Sequence, residues 1–94
     1  MEKIFIKNRQ NQNIAIVINK HENSKGIAFI MHGLGGFKEQ PHIQLMASTF
    51  FKQGYTTILF DTTNSIGESD GKYEDATMQN YYEDLEDVIT WSKS

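Results

Sequence analysis

Five residues, His32-Gly33-Leu34-Gly35-Gly36, follow directly on the apolar run Ile27-Ala28-Phe29-Ile30-Met31. Glycines in such a place allow positive φ and leave main-chain N–H groups unobstructed, a geometry suited to gripping a developing negative charge. A second pattern, Gly67-Glu68-Ser69-Asp70-Gly71, satisfies G-x-S-x-G to the letter. A serine nucleophile on that motif needs a buried strand running straight into it and a helix straight out. Here Thr62 to Ile66 separate the nearest strand from the serine, and Lys72-Tyr73-Glu74 is no core-facing helix start. His21, His32 and His42 all precede Ser69, so none stands where a general base for it is expected. Ser69 therefore reads as a loop residue that happens to fit a pattern.

Other residues able to do chemistry read more quietly. His32 is expected to hydrogen-bond within its loop and hold the glycines in place, and His42 to stand near the start of a helix. Asp61, at a strand end, reads as a loop-capping group. Glu83, Asp84, Glu86 and Asp87 offer oxygen ligands, but no shaped loop or histidine accompanies them, so a solvated surface is the expectation and no metal is implied. There is no cysteine, which removes disulfides and thiolate metal sites. Neither G-x-x-x-x-G-K-[ST] nor G-x-G-x-x-G is present, so phosphate or nucleotide binding at His32–Gly36 has little support.

The elements that must position these residues follow from hydropathy patterning. Apolar alternation at Ile4 and Ile6, a polar break over Asn8–Asn13 and the run Ile14-Ala15-Ile16-Val17-Ile18 predict a β-hairpin. Another turn is expected over His21–Gly26. Ile27–Met31 lacks alternation, as expected of a strand covered on both faces in a parallel sheet. From Pro41 to Gln53, apolar residues at Ile43, Met46, Ala47, Phe50 and Phe51 carry helical spacing, with Gly54 suited to the position after the helix. Thr56–Phe60 predicts a second buried strand, making a βαβ unit with a right-handed crossover. A final amphipathic helix is expected from near Asp75 or Thr77 to about Trp91, with Met78, Tyr82, Leu85 and Ile89 as its apolar stripe, flanked by Tyr81 and Val88, and the acidic residues on its other faces.

The 94 residues suffice for one small domain, and 38% apolar with 22% charged residues is the balance of a globular protein. A net charge of −3 gives no electrostatic reason to expect nucleic acid. Nothing near Met1–Lys7 reads as a signal peptide and no segment reads as a membrane span, so a soluble cytoplasmic protein is the default expectation.

Together, the His32–Gly36 loop after an apolar strand and Asp61 followed by Gly67-Glu68-Ser69-Asp70-Gly71 resemble the N-terminal portion of an α/β-hydrolase. That family carries an HGxG-type loop after strand three, and after strand four an Asp followed by a Gly-x-Gly-x-Ser pattern. Asn64 and Ser65 stand near where the first glycine of the latter pattern would fall, and the spacing is one residue longer. The resemblance covers nearly the whole chain and is nearest to serine hydrolases of the esterase, monoacylglycerol-lipase and proline-aminopeptidase type. It implies an α/β fold, one incomplete domain over residues 1–94, in which a hairpin and a β-α-β-α run stop before the fifth strand and the nucleophile elbow. It also implies that the Leu34 N–H is one oxyanion donor, that Gly33, Gly35, Gly36 and His32 shape the loop, and that Phe37 contributes to the pocket wall. By the same resemblance the nucleophile, acid and histidine lie beyond Ser94, so the chain alone is expected to be inactive. The substrate would be a small-molecule ester, thioester or amide, or a peptide, with no cofactor. In the family's sheet the third strand pairs with the fourth and fifth, so Ile27–Met31 would be left as an open edge. Such an edge recruits other strands, and the alternative function is an assembly or binding module that oligomerises through it.

Overall fold

A computed structural model describes residues 2–93. Strands β1 (Glu2–Lys7) and β2 (Asn13–Asn19) form the expected hairpin, antiparallel with Ile4 opposite Ile16. Asn8 organises its turn: the Asn8 carboxamide oxygen accepts from the Gln10 and Gln12 N–H groups at 2.9 Å each. Asn11 takes the left-handed conformation, φ 62°, which asparagine tolerates better than most residues. Next come β3 (Ile27–Met31), α1 (Pro41–Lys52), β4 (Thr56–Phe60), a 3₁₀ turn at Tyr73–Asp75 and α2 (Met78–Ser92). The four-stranded sheet has the order β1-β2-β4-β3, with β3 and β4 parallel and Phe29 beside Ile58.

Helix α1 packs on one face of the sheet, where Ile43 and Ala47 meet Ile30 and Leu59. On the other face Val88 of α2 joins Ile6, Ile14, Ile16, Ile58 and Phe60, with Leu85 and Trp91 packed against them. Ile14, Ile16, Phe60 and Val88 are wholly out of water, and each such burial contributes about 1.5–3 kcal/mol relative to exposure. Among the described residues no helix is long and apolar enough to cross a membrane.

Three expectations of the sequence need correcting. Strand β3 packs on both faces, Ile30 under α1 and Phe29 and Met31 on the α2 side, but only in part. It is the sheet edge, with Ile30 as its one buried residue, whereas β4 is buried throughout because it lies between β2 and β3. On α1 the apolar stripe is narrower than its spacing predicts, since Met46 and Phe50 stand exposed beside it. Helix α2 is rotated from the expected stripe: Met78 and Tyr82 face water, while Tyr81, Asp84 and Val88 face the sheet. Its start is set by Thr77, which caps the helix reciprocally with Asn80. The Thr77 hydroxyl accepts from the Asn80 N–H at 3.0 Å and the Asn80 side chain accepts from the Thr77 N–H at 2.7 Å.

Candidate functional site

The loops leaving the C-terminal ends of β3 and β4 lie side by side, and His32 joins them. Its Nε2 is 3.1 Å from the Thr62 main-chain nitrogen, which can only donate, so Nε2 accepts. The proton is therefore on Nδ1, which donates to the Gly33 carbonyl at 2.8 Å. With both nitrogens engaged and 1% of its surface exposed, His32 is placed to brace the loops and has no nitrogen left for a reacting group. His42 lies exposed in the first turn of α1.

From His32 the chain makes a tight turn in which the Gly36 N–H donates to the Gly33 carbonyl at 2.9 Å. Gly35 has φ +82°, and a Cβ there would lie 3.2 Å from the Tyr73 hydroxyl, so a side chain is both strained and crowded. Among the described residues no group accepts from the Leu34 N–H. The Leu34 side chain is exposed, and Leu34 borders a shallow depression of about 170 Å3 lined also by Gly33, Gly35, Gly36, Gln40 and His42. Phe37 is half-buried and does not line this depression. A larger groove of about 390 Å3 lies at the opposite end of the sheet, where Ile27 and Thr56 begin the parallel strands.

What fixes this loop is a residue that sequence reasoning overlooked. Lys38 is wholly buried, and its ammonium lies 2.7 Å from Asp61 Oδ2, 2.8 Å from Glu68 Oε1 and 2.7 Å from Glu39 Oε2. Burial works against that charge, yet hydrogen bonds to Asp61, Glu39 and Glu68 overcome it and raise the lysine above its ordinary range. Asp61 also accepts from the main-chain N–H groups of Lys38 at 2.8 Å and Glu68 at 2.9 Å. It is thus more than a cap: one carboxylate ties the loop after β3 to the loop after β4. Gly67 lies directly over it, and a Cβ there would come within 2.2 Å of the Asp61 carboxyl carbon. The oxygens of Glu39, Asp61 and Glu68 lie close enough together to hold a metal ion, but the Lys38 ammonium bonds all three and already supplies the positive charge.

Glu68, bonded to Lys3 and Lys38, is lowered to about 2 from 4.5. A carboxylate depressed on folding stabilises fully above its unfolded value and loses that contribution as pH falls towards its folded one. The stability held by Glu68 is therefore complete above about pH 4.5 and fades between there and about 2. Glu68→Gln is expected to flatten the fall in urea midpoint across that window, with little change in its slope above it. An unchanged acid profile would refute the assignment.

Ser69 is 8% exposed and fully engaged: its hydroxyl donates to the Asp61 carbonyl at 2.6 Å and accepts from the Ala15 N–H at 2.8 Å. No histidine is among its partners. It joins the loop to β2, and Ser69→Ala strands two buried main-chain groups, at an expected cost of about 1–3 kcal/mol in chemical denaturation. Asn64, near the place of the resemblance's first glycine, has φ 59°, so it takes up the backbone shape that a glycine supplies easily.

The acidic helix face also needs revision. Asp84 is 1% exposed; it accepts from the Thr63 N–H and hydroxyl at 2.7 Å each and from Asn8 Nδ2 at 3.2 Å. Asp87 and Glu86 bind Arg9, which holds the guanidinium above its ordinary range. No periodicity signals these roles, because aspartate and lysine are rarely buried unless paired across the fold.

A mixed sheet with one helix on each face and a glycine-rich loop after the third strand defines the N-terminal part of the α/β-hydrolase fold. Est1E from Butyrivibrio proteoclasticus, solved with ferulic acid bound, matches 97% of this chain over 37% of its own, with 24% identity and TM-score 0.87. The α/β hydrolase GrgF from a Penicillium species matches 99% over 32%, with 25% identity and TM-score 0.84. An α/β serine hydrolase homologue from Coxiella burnetii matches 96% over 44%, with 23% identity and TM-score 0.76. The chain thus spans between 32% and 44% of the lengths of these structures. No family model matches it, and no curated protein matches its sequence.

Proposed function

We propose that this chain is the N-terminal segment of a serine hydrolase acting on a small-molecule ester, thioester or amide, or on a peptide, and that it supplies the oxyanion-hole loop. One observation carries the reading: the Leu34 N–H lacks an internal acceptor while the loop around it is braced by His32 and by the buried Lys38–Asp61 pair. A donor held in place before the reaction costs no reorganisation when charge develops, which is what makes such donors effective.

In this mechanism a serine oxygen attacks the substrate carbonyl while a histidine takes its proton. The carbonyl oxygen becomes an oxyanion and accepts from Leu34 N–H and from the N–H after the serine. Collapse releases the alcohol, thiol or amine, which takes the proton back from the histidine, and water then cleaves the acyl-serine by the same steps. Serine, histidine and acid belong to polypeptide beyond Ser94, and Gly33, Gly35 and Gly36 shape the loop. No cofactor or metal enters.

The test is intact-mass spectrometry of the 94-residue chain after a fluorophosphonate probe. No adduct is expected, and a longer product continuing past Ser94 should take one equivalent. A stoichiometric adduct on Ser69 of the short chain would overturn the reading.

The open edge of β3, with Ile27 exposed beside the 390 Å3 groove, favours a second reading: self-assembly of this chain through Ile27–Met31. Sedimentation velocity is expected to show oligomers that grow with concentration. A clean monomer at high concentration would exclude it.

A further inference from the structure

Helix α1 rests on β3 and β4, through Ile43 and Ala47 against Ile30 and Leu59, and the sheet extends past it to β2. A cleft of about 190 Å3 opens between the helix and that strand. Its floor is two cross-strand pairs on one face of the sheet, Val17 opposite Leu59 and Asn19 opposite Thr57. Its wall is the α1 stripe Gln44, Ala47, Ser48 and Phe51, spaced as one helix face requires. The Phe51 ring meets the His21 imidazole, with centroids 5.0 Å apart. Among the described residues no charged side chain lines the cleft. Thr57 lies on its floor with 1% of its surface exposed, yet its hydroxyl has no hydrogen-bond partner among the described residues. Such a hydroxyl costs stability unless something else satisfies it, and valine would fill the same space without that cost. The Asn19 carboxamide and the Ser48 hydroxyl are also unpaired. Gln44 donates through Nε2 to the Lys38 carbonyl at 2.9 Å, which leaves its Oε1 as a free acceptor.

We propose that this cleft binds a small neutral aromatic molecule carrying a hydroxyl group, of which phenol is the simplest. An apolar hollow with a few unpaired polar groups is what a small-molecule site requires. The volume is a little above the roughly 150 Å3 that holds benzene in a protein interior. Val17, Ala47, Phe51 and Leu59 take the ring, and the hydroxyl pairs with Thr57. A hydroxyl suits this lining because it both donates and accepts, as Gln44 Oε1 needs a donor and Thr57 offers either role. A carboxylate does not, since it has no proton to donate and meets no cation. The cleft shares no lining residue with the depression beside Leu34, so the inference stands apart from the hydrolase reading.

The experiment titrates phenol into the 94-residue chain and follows backbone amide signals by NMR, with toluene and benzoate as controls. Phenol is expected to give saturable shifts at Val17, Asn19, Ser48 and Thr57 with a Kd of about 1 mM, within what a ligand of this size can reach. Benzoate should bind at least about tenfold more weakly, because its charge would be buried without a partner. Thr57→Val should leave the urea midpoint level or higher, and should lower the affinity for phenol relative to toluene by about fivefold. Ser48→Leu, on the exposed rim, should fill the cleft and abolish the shifts caused by both rings. Shifts that never saturate or that fall away from the cleft would overturn the inference, as would benzoate binding as well as phenol. So would unchanged phenol binding in either variant. A marked loss of stability in Thr57→Val would mean that the hydroxyl is already satisfied within the chain, and would overturn it too.

Discussion

Lys38→Met is expected to cost about 3–5 kcal/mol, the usual loss when one partner of a buried ion pair is removed. Lys38 and Asp61 are both fully enclosed, at 0% side-chain exposure, with 2.7 Å between ammonium and carboxylate. Without the ammonium, Asp61 keeps its main-chain donors, the N–H groups of Lys38 and Glu68, but retains a buried charge with no counter-ion. Whole domains are stable by only about 5–15 kcal/mol, and a unit this small belongs near the lower end, so the variant should be largely unfolded at modest urea.

The opposite substitution is expected to be milder. Asp61→Asn leaves the ammonium with Glu39 and Glu68, both partly in water, so that charge still has partners. The double variant should cost less than the sum of the single ones, since each removes the same interaction. Denaturation of all three proteins decides the matter. A Lys38→Met cost below about 1 kcal/mol would place the pair among ion contacts of surface strength and remove it as the brace of the loop.

The second large effect concerns catalysis. In the proposed hydrolase, Leu34→Pro removes the main-chain N–H and is expected to lower kcat by about a hundredfold to a thousandfold, the range seen for loss of one oxyanion donor. Leu34 is not at positive φ, so proline is not excluded by the left-handed region that Gly35 occupies. Leu34→Ala keeps the N–H, and because the leucine side chain is exposed it should leave kcat within a few fold. A parallel fall in both variants would point to the side chain, and a proline variant with wild-type kcat would remove Leu34 as a donor. Urea midpoints of both proteins distinguish a lost donor from a lost fold.

Elements and their order were legible from local pattern alone. Alternation at Ile4 and Ile6, the Asn-rich break, Pro41 before a 3.6-residue period and Gly54 after it are properties of neighbours in the chain. They mark the hairpin, α1 and β4 closely. The glycine-rich loop after β3 was equally readable, because positive φ at Gly35 depends on the residue itself. Tertiary structure decided the rest. Which of Ile27–Met31 and Thr56–Phe60 is central depends on pairing: the more apolar run, Ile27–Met31, is the less buried one, because the sheet order puts β4 between β2 and β3. The rotation of α2 follows from Asp84 finding Thr63 and Asn8, and Asn8 lies 76 positions away in sequence. Lys38 and Asp61 are 23 positions apart, and nothing local tells a lysine bound for the interior from one left in water. Periodicity measures how apolar a face is. It carries no information about which polar side chain will meet its counterpart once the loops are brought together, and that meeting is what holds the Leu34 loop in place.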